Sequence, residues 1–157
     1  MGGAGPGNLD VQENGTYRYL GAIYAVGDVL RMAVVSGAVK YYKNGVLLYT
    51  STVAPVSPLQ VDTSLLDANN AINNAIIFTA SSAPQNLVWT NIVNATATGN
   101  TLQKTSGCNG CADAGATSQQ TITSGDGYSP CILRKWVTIQ LWVTLCGHFL
   151  LYTQPFT

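Results

Sequence analysis

Hydrophobic and polar residues alternate along most of the chain with a period of two, and no stretch keeps a helical period for more than about two turns. Such alternation places one set of side chains in a core and the other in solvent, which is typical of antiparallel β-sheets. We therefore predict an all-β fold. The predicted strands cover residues 16–24, 28–35, 39–42, 46–50, 59–66, 72–79 and 87–93, and an alternating segment that begins at Trp136.

Turn signals separate these predicted strands. Asn44-Gly45 lies between two β-rich runs and predicts a tight type I′ hairpin, because both central residues of that turn need a positive φ. Residues 81–85 contain two Ser and a Pro and are typical of a linker or crossover. Residues 94–123 form a long region rich in Thr, Gly and Asn, and Gly125-Asp126-Gly127 marks the turn that follows it.

The C-terminal segment alternates most strictly. One predicted face is fully apolar, and the opposite face carries two tryptophans among polar residues; the apolar set is Val137, Ile139, Leu141, Val143 and Leu145. Polar residues such as Gln140 and His148 interrupt the apolar stretch, so it is shorter than the roughly 18 uninterrupted residues of a membrane span. We expect this segment to add strands to the fold and expect no insertion into a membrane.

Composition narrows the class of protein. The chain has 157 residues, which is the usual size of one domain, and only 9% of them are charged while 46% are hydrophobic. This excludes the highly charged class of disordered chains. Seven Lys and Arg balance seven Asp and Glu, so we expect neither nucleic acid nor a membrane surface as a partner. Near-zero net charge favours self-association into a homo-oligomer, and the sparse charge is typical of secreted β-rich proteins.

Two blocks of sequence, one around the Tyr41-Tyr42-Lys43-Asn44-Gly45 hairpin and one around Gly107-Cys108-Asn109-Gly110-Cys111, resemble a module that is repeated in large bacterial extracellular proteins. That module is a concanavalin-like β-sandwich of the laminin-G or lectin type. The resemblance covers roughly residues 11–128 and is carried by residues 27–51, 58–65, 88–91, 96–105 and 107–116. It implies an antiparallel jelly-roll sandwich, an extracellular or cell-surface location, and binding of a glycan or cell-surface polysaccharide.

The order of the two blocks is reversed relative to that module. Residues 1–9 are expected to be a Gly-rich leader, residues 10–80 the closing half of the sandwich and residues 86–128 its opening half, with divergent C-terminal strands in 129–157. Residues 10–157 would then form a single module. A circular permutation produces this order when the two halves close on one another within the chain. Alternatively, each half completes the sheet of a neighbouring chain by strand exchange, which produces a dimer or a filament.

Catalytic chemistry is scarce, and we predict no enzymatic activity. Glycoside hydrolysis normally uses two carboxylates that flank the bond, but Glu13 is the only glutamate and the aspartates show no paired spacing. His148 is the only histidine, and no serine lies in a nucleophile motif that would use it.

The cysteines predict a local disulfide and no metal site. Cys108 and Cys111 have the spacing of half a zinc knuckle, and Cys146-Gly147-His148 offers further ligands, but no second Cys-x-x-Cys pair exists. We therefore expect a Cys108–Cys111 disulfide that stiffens a Gly-rich loop, and pairing of Cys131 with Cys146 is left open. The lectin resemblance adds calcium as a candidate ion, with loop carboxylates as its ligands from Asp62, Asp113 and Asp126.

Two functions compete. A glycan site needs aromatic faces and amide groups, and the candidate residues are Tyr41, Tyr42, Asn44, Trp89 and Asn91. Alternation places Tyr41 and Tyr42 on opposite faces, so one of them is expected in the core, and the turn alone explains Asn44. This first hypothesis is a lectin-like or adhesive module. The second hypothesis is a structural subunit that assembles into a filament or surface layer, favoured by the reversed order, the zero net charge and the apolar C-terminal segment.

Overall fold

A computed structural model describes residues 8–13, 16–134, 139–143 and 147–152. These residues form sixteen strands and no helix, which confirms the all-β prediction. The strands are β1 Asn8–Glu13, β2 Thr16–Ile23, β3 Val29–Val35, β4 Ala38–Lys43, β5 Val46–Thr50, β6 Leu59–Leu65, β7 Ala71–Asn73, β8 Ile76–Thr79, β9 Ser82–Asn86, β10 Trp89–Val93, β11 Ala95–Thr98, β12 Thr101–Lys104, β13 Ala114–Ile122, β14 Gly127–Arg134, β15 Ile139–Val143 and β16 Gly147–Tyr152.

The strands build two antiparallel sheets that pack together as a β-sandwich. The first has seven strands in the order β10-β13-β6-β15-β16-β1-β2. The second has nine; seven follow the order β11-β12-β7-β14-β3-β4-β5, and the β8–β9 hairpin joins it through β14. Strands β7 and β8 pair with different parts of the same edge of β14, so they act as one interrupted strand. The jelly-roll connectivity stays a prediction.

The core lies between the sheets and follows the alternation. In β6 the burial pattern changes at every residue, with Leu59, Val61, Thr63 and Leu65 buried and their neighbours partly exposed. Apolar side chains from both halves of the chain meet in this core, among them Leu9, Tyr24, Tyr41, Ile72, Leu87 and Leu102. The period-two pattern is therefore explained by one buried face for each sheet.

The predicted hairpin is confirmed. Asn44 and Gly45 connect β4 to β5 with φ values of 50° and 80°. The Asn44 side chain also fixes the turn against β3, because its Oδ1 accepts a hydrogen bond from the Val29 amide at 2.8 Å and its Nδ2 donates to Asp28 at 2.6 Å. The asparagine thus serves both the backbone conformation and the attachment of the hairpin.

The prediction of a linker at residues 81–85 is wrong. Residues 82–86, expected within a linker, form β9 and pair with β8. Pro84 is compatible with this strand because β9 is an edge, where the missing N–H leaves no gap in a ladder. The Thr- and Gly-rich region contains the β11–β12 hairpin and the long strand β13. Strand β1 begins at Asn8, within the residues expected as the leader, and Leu9 is buried in the core.

The two halves of the chain pair with each other. Strand β13 pairs with β6, and β14 pairs with β3. The C-terminal strands β15 and β16 lie in the middle of the seven-stranded sheet, between β6 and β1. This placement gives the C-terminal segment a structural role in the sandwich. The predicted division of its side chains between two faces, and residues Trp136, Val137 and Cys146, lie outside the described residues.

Candidate functional site

The structure separates the five residues predicted to bind a glycan. Tyr41 is fully buried, and Trp89 keeps only 6% of its surface exposed, so both rings belong to the core and neither is available for stacking on a sugar in this structure. Of the two adjacent tyrosines, Tyr41 is therefore the buried one. Asn44 is engaged in its turn, and Asn91 lies on the seven-stranded sheet, where its Nδ2 donates to Thr117 Oγ1 at 2.9 Å. Only Tyr42 lies on the outer face of the nine-stranded sheet.

Tyr42 belongs to a row of stacked side chains that crosses four strands. We call this row the aromatic ladder; it consists of Tyr42 on β4, Arg31 on β3, Tyr128 on β14 and Phe78 on β8. The Arg31 Cζ lies 4.1 Å from the centre of the Tyr42 ring and 5.6 Å from that of Tyr128. The Tyr128 and Phe78 rings stack with centroids 4.8 Å apart and planes inclined by 22°. Four adjacent strands span about 14 Å.

Strand register explains the ladder. Arg31 pairs directly with Tyr42, and Tyr128 pairs directly with Phe78. Ala33 pairs with both Tyr128 and Lys40, so these residues share the face of Arg31. The small Ala33 side chain leaves room for the guanidinium between the two tyrosine rings. Facing pairs of aromatic and cationic side chains add favourable contact to a sheet surface.

The ladder leaves polar groups without partners. Its rings and guanidinium face one another, so ring edges and the phenol hydroxyls are directed away from the stack. Within the described part of the chain, the Arg31 guanidinium makes no hydrogen bond, and its buried Nε is unsatisfied. A buried donor without a partner is uncommon and calls for a functional explanation.

Sequence reasoning found only one of the four ladder residues. Arg31 and Tyr42 lie on the two strands of the β3–β4 hairpin, which turns at Ser36 and Gly37, and their equal distance from that turn contained the signal for the pair. Tyr128 and Phe78 join the row only through the pairing of β14 with β3 and β8, which separates partners by about 50 to 100 residues. No local pattern predicts such a register.

A polar depression lies on the seven-stranded sheet, apart from the aromatic ladder. It has a volume of about 340 Å³ and is lined by residues that include Asp62, Asn91 and Asp113. Burial raises the pKa of Asp62, although a bond from the Thr63 amide opposes the shift. Asp126 is elsewhere and accepts a hydrogen bond from the Ser36 amide. The three calcium candidates thus do not form one site, and the described residues contain no group of three or more His, Cys, Asp or Glu that could hold a metal.

Cys108 and Cys111 lie at disulfide distance, with Cα atoms 5.5 Å apart, as the spacing predicted. Their carbonyl oxygens both accept hydrogen bonds from the buried Lys104 ammonium, so the loop encloses the end of the lysine side chain. Cys131 is free and buried within β14, and burial raises the pKa of its thiol to about 12. Its proposed partner Cys146 lies outside the described residues.

The single glutamate is buried. Glu13 Oε1 accepts a hydrogen bond from the Tyr41 hydroxyl at 3.2 Å, and Arg18 Nε lies 3.6 Å from Oε2. These contacts fasten β1 to the core of the second sheet and to β2. The side chain of His148 lies outside the described residues, so the structure brings no described base to this carboxylate.

In comparisons with known proteins, no family model, no curated protein and no solved structure matched the chain. Among the described residues, no helix is long and apolar enough to cross a membrane.

Proposed function

We propose that the chain is a non-catalytic, glycan-binding β-sandwich of an extracellular or cell-surface protein, and that a polysaccharide lies across the aromatic ladder. The observation that carries this proposal is a continuous row of side chains on the outer face of the nine-stranded sheet, formed by Tyr42, Arg31, Tyr128 and Phe78. Tyrosine and arginine are the residue types that contribute most to recognition at exposed surfaces. The lectin-type resemblance of the sequence supports the same class of ligand by analogy.

The ladder suits an extended, hydroxyl-rich ligand. The Tyr42 and Tyr128 hydroxyls have no partner among the described residues and can exchange hydrogen bonds with sugar hydroxyls. The stack holds these side chains in place before a ligand arrives, which lowers the entropic cost of binding. A row about 14 Å long contacts more than one sugar unit at a time.

A glycan array on the purified chain tests the proposal, followed by titration of the best ligand into variants. Tyr42→Ala and Tyr128→Ala should each weaken binding about tenfold, since each removes a ring, a hydroxyl and the support of Arg31. Tyr17→Ala is the matched control, because Tyr17 is 47% exposed on β2 of the other sheet. An array without any bound glycan, or equal losses in all three variants, contradicts the proposal.

A second candidate function, assembly into a filament or surface layer, is favoured by the edge strands. Strand β2 ends the seven-stranded sheet and exposes Leu20 and Ile23 by 61% and 71%, and β5 ends the other sheet and exposes Val46 by 66%. Large apolar side chains on unpaired edges favour edge-to-edge contact between chains. The Lys43 ammonium donates to the Ile23 carbonyl at 2.6 Å, so the two edges lie at the same side of the sandwich.

Scattering mass and electron microscopy separate the two functions. Assembly predicts oligomers or filaments that are lost in Leu20→Lys, a change that places a charge on the edge without entering the core. A wild-type chain that stays monomeric at high concentration contradicts assembly and leaves glycan binding as the function to test.

A further inference from the structure

The ladder face is the outer face of the nine-stranded sheet around the aromatic ladder, and the charges of its described side chains are all of one sign. The outward positions of β3, β4, β8 and β14 among the described side chains include two cations, Arg31 and Lys40, and no carboxylate. This contrasts with the net charge of the whole chain, which is zero. A face with only positive charge selects for negative ligands.

These two cations also differ from the other described cations. Arg18 pairs with Glu13, Lys43 with Asp28, and Lys104 with Asp113. Arg31 and Lys40 form no such ion pair with a described side chain. Positive groups that the fold does not neutralise are available to a ligand.

Arg31 is held in a defined position. The guanidinium lies between the rings of Tyr42 and Tyr128, and its Nε is buried without a hydrogen-bond partner. A planar guanidinium that has lost its freedom donates paired hydrogen bonds to a planar carboxylate with good geometry. The stacking therefore prepares Arg31 for a carboxylate more than for a neutral hydroxyl.

We propose that the ladder recognises an acidic polysaccharide through its uronate carboxylates. Arg31 forms the paired hydrogen bonds to one carboxylate, Lys40 provides a second positive charge on the same face, and the Tyr42 and Tyr128 hydroxyls bind sugar hydroxyls. This inference rests on the proposed glycan-binding function and names the class of glycan.

Single-stranded nucleic acid is the main competing polyanion, and the ladder geometry disfavours it. Nucleic-acid surfaces of this kind stack bases on open aromatic faces along a strongly basic groove. Here the Tyr128 ring stacks on Phe78 on one side and lies against Arg31 on the other, so its faces are occupied. Two cations are also few for tracking a phosphate backbone.

Calorimetric titration with polygalacturonic acid tests the inference, and its fully methyl-esterified form is the neutral ligand of the same backbone. The acid should bind at least about tenfold more tightly than the ester, since a charge-assisted bond to Arg31 is lost on esterification. Arg31→Gln should reduce this preference at least severalfold and leave the part that Lys40 provides, and Arg31→Lys should also weaken binding, because an ammonium lacks the planar fork. Higher salt should weaken binding of the acid only.

Lys43→Gln is the charge-matched control. Lys43 is the neighbour of Tyr42 but points to the other side of β4, where it pairs with Asp28 at 3.0 Å. Its loss removes one positive charge from the chain without touching the ladder, so affinity for the acid should change less than about twofold.

Several results overturn the inference in distinguishable ways. Equal binding of acid and ester, lost in Tyr42→Ala, overturns acid selectivity while glycan binding stands. Binding of dextran sulfate as tight as the uronate, unchanged in Arg31→Lys, identifies a nonspecific polyanion surface, and tighter binding of a single-stranded oligonucleotide identifies a nucleic-acid surface. If no neutral or acidic glycan binds the wild-type chain, both the inference and the proposed function fail.

Discussion

Lys104 at the end of β12 is buried and forms an ion pair with Asp113, which lies at the surface. The lysine side chain is 1% exposed and the aspartate side chain 36% exposed. The same ammonium donates to the carbonyl oxygens of Leu66 at 2.9 Å, Cys108 at 2.7 Å and Cys111 at 2.8 Å. Three carbonyls and a carboxylate around one point are ligands that proteins also offer to metal cations. The Lys104 ammonium thus organises the loop that precedes β13, as a bound cation would.

Replacing this lysine should destabilise the fold. In Lys104→Met the apolar stem remains, but three carbonyl oxygens lose their donor and Asp113 loses its counter-charge. We expect a loss of about 3 kcal/mol in the free energy of unfolding, because each carbonyl oxygen that loses its donor inside the fold costs about 1 kcal/mol or more. Urea denaturation measures this. Lys40→Met, which removes an unpaired surface cation, should change stability by less than about 0.5 kcal/mol, and equal losses in both variants contradict the assignment.

Asp113 should make the fold sensitive to acid. The hydrogen bond from Lys104, then the bond from the Cys108 amide, lower the pKa of Asp113. Since the pKa of an unfolded aspartate is about 3.9, this stabilisation is fully present above that pH and is lost as pH falls through the lower, folded-state pKa. Urea midpoints measured from about pH 6 to about pH 2 should therefore fall less steeply below pH 4 in Asp113→Asn than in the wild type.

Asp10 provides a control because its pKa is shifted in the direction opposite to that of Asp113. Burial raises the pKa of Asp10 more than the bond from the Gly21 amide lowers it. A carboxyl group with a raised pKa in the folded state costs stability as pH rises above about 3.9. The free energy of unfolding of Asp10→Asn should therefore increase relative to that of the wild type as pH approaches neutrality, and the loss of stability in acid should remain. If Asp113→Asn and Asp10→Asn show the same pH dependence, the Lys104 contact is not the source of the acid loss.

The Cys131 thiol should resist alkylation in the native state. Burial raises its pKa to about 12, so at mildly alkaline pH very little reactive thiolate exists. Iodoacetamide should label the Cys131 peptide in urea and leave it unmodified in the folded chain, as read by peptide mass mapping. After reduction, Cys108 and Cys111 in the exposed loop should react under native conditions and serve as the positive control. Rapid native labelling of Cys131 would place it at the surface or in an opened strand.

Sequence patterns correctly predicted the structural features that depend only on residues close together in the chain. Asn44-Gly45 specified its hairpin because the required positive φ depends on those two residues alone, and the alternation in β6 specified which of its side chains are buried. The Cys108–Cys111 pair was predictable for the same reason, since three residues of separation bring the two sulfurs together without any long-range packing.

Long-range register decided what the sequence did not predict. Tyr128 reaches Arg31 only because β14 pairs with β3, and Lys104 reaches the Leu66 carbonyl across 38 residues. Pro84 favoured a linker because its edge position was not visible from sequence. The predicted glycan residues failed to converge because Tyr41 and Trp89 have strand neighbours that direct them into the core, and alternation alone does not say which face is buried.

Gly115 should tolerate no side chain. It lies in β13 opposite Ser64 of β6, and a Cβ there would overlap the Thr63 carbonyl oxygen, which belongs to the backbone and cannot move aside alone. The strands are held close because the Thr63 hydroxyl donates to the Ala116 carbonyl at 2.9 Å and accepts from the Ala116 amide at 3.1 Å. Gly115→Ala should therefore lower the free energy of unfolding by about 3 kcal/mol or prevent folding. Gly37→Ala, whose Cβ meets open space at a φ of 76°, should cost only about 1 kcal/mol. Urea denaturation of both variants decides the matter: if Gly115→Ala is as stable as Gly37→Ala, β6 and β13 do not pack as closely as described.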